Sequence, residues 1–133
     1  MIDMGIYVTY GTVKNDMDEV KSDLEKVLNI QFEPRESSYW DEYYLFESKD
    51  NQAIQVYYNF VDGDWLEYDF KQYPVLIKLM NLKNLEEVMR AIKKELPYVK
   101  PIRKKKIIPG VKVKNYTFID DRPLLVSERE LRK

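Results

Sequence analysis

A chain of 133 residues with 22 basic and 23 acidic side chains, a net charge of −1 and 44% hydrophobic residues has the composition of one globular domain rather than a disordered segment. Cysteine and histidine are both absent, which excludes disulfides, thiolate metal sites, a cysteine nucleophile and Ser-His-Asp catalysis, and removes the commonest transition-metal ligand. The N-terminus has neither a cationic leader nor an apolar run of signal-peptide length, and no window approaches a membrane span; the expected address is cytoplasmic, without membrane contact.

Ile6, Val8 and Tyr10 alternate with Tyr7 and Thr9 before Gly11, which predicts a strand over residues 5–12. Asn15 is placed to cap a helix whose first turn holds Asp16, Asp18 and Glu19. Met17, Val20, Leu24, Val27 and Leu28 then share one face, so an amphipathic helix is expected over residues 16–29, and Phe32 and Pro34 lead out of it. Two strands follow, over residues 38–48 and 52–61, joined as an antiparallel hairpin by the turn chemistry of Ser48–Gln52. In the second, Ile54, Val56, Tyr58 and Phe60 form the core face, which turns Tyr57 outward.

Residues 62–73 open with Asp62-Gly63, lack periodicity and read as a long surface connection, after which Pro74 introduces a central strand, Val75 to Met80. Asn84 and Glu87 have capping-box spacing ahead of a second amphipathic helix carrying Leu85, Val88, Met89, Ile92 and Leu96, stopped at Pro97. The expected fold is α+β: a β-α-β-β-β-α core over residues 1–98, with two helices on a mainly antiparallel sheet whose strand order stays open. Residues 99–133 form a basic C-terminal extension of eleven cations and four anions. In it, Ile108-Pro109-Gly110-Val111 suits a type II turn between runs that can pair as a hairpin, while Ser127 and Glu130 suggest a helical turn.

Function is concentrated in residues 31–73, which hold 13 of the 18 aromatic side chains and ten carboxylates against three cations. Tyrosine and tryptophan bury large rigid areas while keeping a polar tip, and fixed negative charge attracts a basic partner. Paired carboxylates such as Asp62 with Asp64, or Asp41 with Glu42, read as solvated turn residues rather than an acid/base pair or a calcium loop, and no glycine-rich phosphate loop is present. A non-enzymatic binder is expected, with no catalytic residue, cofactor or metal. Its partner-binding residues are Tyr39, Trp40, Asp41, Glu42, Tyr57, Asp62, Asp64, Trp65, Glu67 and Asp69. The alternative is a nucleic-acid-associated regulator that contacts phosphates through Arg103, Lys104, Lys105 and Lys106, although that block also reads as a linker or as an internal counterweight to the acidic middle.

The run Phe32-Glu33-Pro34-Arg35-Glu36-Ser37-Ser38-Tyr39, followed by Glu42-Tyr43-Tyr44, resembles a stretch in one group of small bacterial immunity proteins from polymorphic and contact-dependent growth inhibition toxin systems. Gln55, Asn59-Phe60, Asp62-Gly63-Asp64 and Tyr73-Pro74-Val75-Leu76 correspond to the later parts of that pattern, so the resemblance spans residues 5–97. Trp40-Asp41 departs from it, since the group tends to have glycines there, and the basic C-terminal third has no counterpart. The resemblance implies a cytoplasmic protein that binds and neutralises one cognate toxin domain. The expected partner is a nuclease with a basic active-site cleft; nucleic acid is not an expected partner, and the chain itself is expected to be a monomer or weak homo-oligomer. For Glu36, Ser37 and Ser38, a structural role where a strand begins is the expected reading.

Overall fold

The computed structural model describes residues 5–37 and 41–131. Strand β1 (Gly5–Thr12) lies near the middle of an eight-stranded sheet, between β7 (Val75–Met80) and β8 (Val99–Ile108). Beyond β7 come β4 (Ala53–Tyr58), β3 (Asp41–Glu47) and, at one edge, β2 (Glu33–Ser37); beyond β8 come β9 (Lys112–Ile119) and, at the other edge, β10 (Arg122–Glu130). Every pairing in this sheet is antiparallel. The α+β class is therefore observed, with α1 (Met17–Leu28) and α2 (Leu85–Glu95) packed on one side of the sheet.

That helical side carries the main core. Val8, Tyr10, Ile54, Val56, Val75, Ile77, Leu79 and Val99 meet Met17, Val20 and Leu24 of α1 and Val88 and Ile92 of α2. Each such aliphatic side chain contributes roughly 1.5–3 kcal/mol when fully removed from water. Helix α1 starts at Asp16, whose carboxylate accepts the Asp18 N–H at 3.0 Å, one residue after the Asn15 that spacing suggested as the cap. It ends at Asn29, held in the left-handed conformation at φ 54°. Asn84 does precede α2, but its side chain makes no capping hydrogen bond, so the expected capping box is not formed.

Three segments depart from expectation. Residues 33–37, read as an exit from the helix, form edge strand β2, and the strand expected over 38–48 is β3 over 41–47. Pro34 and Arg35 hide this strand from a propensity reading, yet an edge strand tolerates proline and benefits from charge. Residues 62–73 are not a plain loop. β5 (Phe60–Val61) and β6 (Asp64–Trp65) make a miniature hairpin, followed by a 3-10 turn at Tyr68–Phe70. Finally, the basic extension joins the sheet: β8 pairs with β1 along its length, β8 and β9 form the expected hairpin around Gly110 (φ 73°), and the helical turn expected at Ser127–Glu130 is strand β10. Among the described residues, no helix is long and apolar enough to cross a membrane.

Candidate interaction surface

Asn59 organises the region where the aromatics gather. It follows β4 and is fully buried. Its amide nitrogen donates to the carbonyls of Phe70 (3.1 Å) and Tyr73 (2.9 Å), and its amide oxygen accepts the Glu67 N–H at 2.7 Å. Its own backbone N–H donates to the Pro74 carbonyl and its carbonyl accepts the Leu66 N–H. One side chain thus folds residues 60–73 back over the side of the sheet away from the helices. Under that cover Tyr57, Leu76 and Ile102 form a second small core, flanked by Tyr43, Leu66, Phe70 and Tyr73. The ring of Tyr73 lies directly on Gly11, where a methyl group would sit 2.3 Å from its Cγ, so β1 needs glycine at this point.

This packing corrects the reading of the β4 face. Tyr57 is only 3% exposed, and burial raises its phenol well above the usual value, with a further contribution from Glu67. It is a core residue, because the 60–73 excursion covers a face that alternation assigns to solvent. Tyr58 and Phe60, expected in the core, are 37% and 46% exposed because Tyr58 ends β4 and Phe60 lies beyond it in β5, both outside the buried helix-side cluster.

A surface of carboxylates and rings results at that end of the sheet, where β3 begins and β4 finishes. Tyr44 on β3 donates its hydroxyl to Asp18 at the start of α1, and this hydrogen bond, followed by burial, pushes its pKa up to about 12. Glu42 and Tyr58 add to that field. Glu42 also stands directly opposite Glu36 across the β2–β3 pair. Like charges so placed destabilise a sheet, and both glutamates are exposed. Asp41, Glu42, Asp62 and Asp64 are all exposed. Asp62 (φ 52°) and Gly63 (φ 79°) make the two-residue turn between β5 and β6, and Asp64 accepts the Trp65 N–H at 2.8 Å. That is hairpin geometry, in agreement with the solvated-turn reading of these carboxylates. Half-buried Trp65 packs on Phe60 with ring centroids 4.9 Å apart.

Of the ten expected contact residues, Asp41, Glu42, Asp62, Asp64 and Trp65 belong to this end of the molecule. Tyr39 and Trp40 lie outside the described residues. Glu67 and Asp69 are engaged elsewhere: Arg103 reaches Glu67 at 3.4 Å and Asp69 at 3.1 Å and stacks 5.0 Å above the Phe70 ring. Sequence reasoning left out Asp18, Tyr44, Tyr58 and Phe60. The acidic start of α1 was visible as a cap signal, but only packing brings it beside β3.

The basic block does not form a single surface. Arg103 and Lys105 pair in register with Thr9 and Tyr7, whereas Lys104 and Lys106 pair with Val8 and Ile6. Because Val8 is a helix-side core residue, strand alternation sends Lys104 and Lys106 to the helical side and Arg103 and Lys105 to the other. Arg103 is already paired with two carboxylates, and Lys104 sits 5.5 Å from the Tyr116 ring.

No protein-family model matches this sequence, and no curated protein shows significant similarity to it.

Proposed function

We propose that the chain is an immunity protein that binds a cognate toxin domain, a nuclease with a cationic cleft, through the acidic and aromatic end of its sheet. The observation that carries this reading is the exposure of Tyr58 and Phe60 among Asp41, Glu42, Asp62 and Asp64. Rings of this kind supply desolvated anchor area, and carboxylates around them steer a basic partner and speed its capture. The opposed Glu36–Glu42 pair supports the same reading, since a site that loses stability to keep its charge is where function is to be sought. The resemblance of residues 5–97 to small bacterial immunity proteins points to the same class of partner.

A nucleic-acid reading has weaker support. Phosphate binding is strongest when several cations act together on one surface, and here the four are divided between two sides of a strand with Arg103 neutralised.

Growth rescue tests the proposal. The C-terminal domain encoded by the neighbouring upstream gene is expressed in a host with and without this chain. The expected result is toxicity that this chain selectively relieves, with relief weakened by the combined reversals Glu42→Lys, Asp62→Lys and Asp64→Lys and by Phe60→Ala. A neighbour that is harmless, or toxic and not relieved, overturns the proposal; relief that survives all four changes overturns the choice of surface.

A further inference from the structure

On the helical side, at the sheet end where β4 finishes but on other strands, α2 lies against the start of β8 beside the turn between β9 and β10. A cavity of about 290 Å³ lies there. Its apolar wall is Met89, Pro97, Val99 and Pro101, and Tyr10, only 2% exposed as a residue, closes its floor from β1. Three cations line it, Arg90 and Lys93 from α2 and Lys100 from β8, together with Asp121 from the turn. Lys93 pairs with Asp121 at 3.7 Å. Among the described residues Arg90 and Lys100 form no salt bridge, so two unneutralised cations from different elements border one small cavity.

Two like charges facing a partly apolar space repel each other, and an anion placed between them removes that repulsion. Long cationic side chains that are only solvated carry no such implication, but here they stand over an apolar wall and a buried tyrosine. Small-molecule sites have this composition: mostly apolar walls with a few convergent polar groups that orient the ligand. The volume is at the lower end of such sites, enough for one aromatic or short aliphatic group bearing a single head group.

We propose that this cavity binds a small organic anion, with its head group between Arg90 and Lys100, its apolar body against Met89, Val99 and the two prolines, and the Tyr10 hydroxyl donating to it. A phosphate monoester and a carboxylate share this chemistry. Arginine favours both through paired N–H donors. The site is independent of the toxin-binding surface, and neither proposal requires the other.

The test is a titration followed by backbone amide NMR shifts, using phenyl phosphate, phenylacetate, inorganic phosphate and the neutral benzyl alcohol. At least one aromatic anion is expected to give saturable shifts confined to Met89–Lys93, Val99, Lys100 and neighbouring amides, at roughly millimolar affinity or better. Benzyl alcohol and inorganic phosphate are each expected to bind at least about tenfold more weakly, since each lacks half of the recognition. Preference between the two aromatic anions identifies the head group. The double variant Arg90→Gln, Lys100→Gln changes only exposed side chains; its fold is checked by circular dichroism, and it is expected to lose the anion response. Tyr10→Phe is expected to weaken it. Absence of saturable shifts with both aromatic anions overturns the proposal, as does equal binding of benzyl alcohol or an unchanged response in the double variant.

Discussion

Replacing Asn59 by alanine removes three side-chain hydrogen bonds from a residue with no solvent exposure and strands their partners, the carbonyls of Phe70 and Tyr73 and the N–H of Glu67. Each net hydrogen bond is worth about 0.5–1.5 kcal/mol, and a buried group left unpaired costs about 1–3 kcal/mol. Water can reach some of the freed groups once residues 60–73 loosen, so the expected loss is about 3–5 kcal/mol rather than the full sum. For a chain of this length that corresponds to a fall in Tm of roughly 10–20 °C, interpolating between smaller and larger domains. Thermal unfolding followed by circular dichroism, with tryptophan fluorescence as a probe that includes Trp65, measures it.

Asn59→Asp makes the test sharper, because shape is kept while two donors become acceptors facing two carbonyls. The buried carboxyl in this variant has a folded-state pKa raised above the unfolded value of about 3.9. The folded state then binds more protons than the unfolded state between those two pKa values. Stability relative to the parent chain is accordingly least impaired below about pH 4 and falls as pH rises through the raised pKa. A variant within about 3 °C of the parent, or an Asn59→Asp penalty that does not change between acid and neutral pH, refutes the reasoning that Asn59 pins this segment.

Three further outcomes are expected. Gly11→Ala places a methyl 2.3 Å from the Tyr73 ring and should destabilise the chain by about 1–3 kcal/mol in urea unfolding; the double variant with Tyr73→Ala should recover part of that loss, and a neutral Gly11→Ala would show that the ring yields freely. Arg103→Ala breaks partly exposed pairs with Glu67 and Asp69, so a stability loss of no more than about 1 kcal/mol is expected with toxin relief preserved, whereas loss of relief in a folded variant would move the site to this face. Tyr44, with its pKa raised to about 12 by the bond to Asp18 and by burial, contributes stability that is present below pH 10 and lost as pH rises through about 12. Tyr10, Tyr57 and Tyr98 are also raised, so Tyr44→Phe should remove the earliest part of the late phenolate absorbance rise, near pH 12, and leave the rest; an unchanged rise would assign that part to another tyrosine.

Strand β1, both helices and central strand β7 were legible because each writes its burial into a local period, two for the strands and 3.6 for the helices. The turns at Ile108–Val111 and Asp62-Gly63 were legible for a related reason: both use the residues that accept positive φ. The acidic and aromatic character of residues 31–73 is likewise a property of composition. Which of those side chains meet solvent is not. Alternation along β4 distinguishes two faces of a strand, but it does not show that Asn59 folds a later segment over one of them, burying Tyr57 and leaving Tyr58 and Phe60 exposed. Neither does charge along residues 99–133 show that Arg103 meets carboxylates from residues 67 and 69, or that alternation divides four consecutive cations between opposite sides of a sheet. These outcomes depend on contacts between residues distant in the chain, and no local period encodes a pairing whose partner is more than thirty residues away.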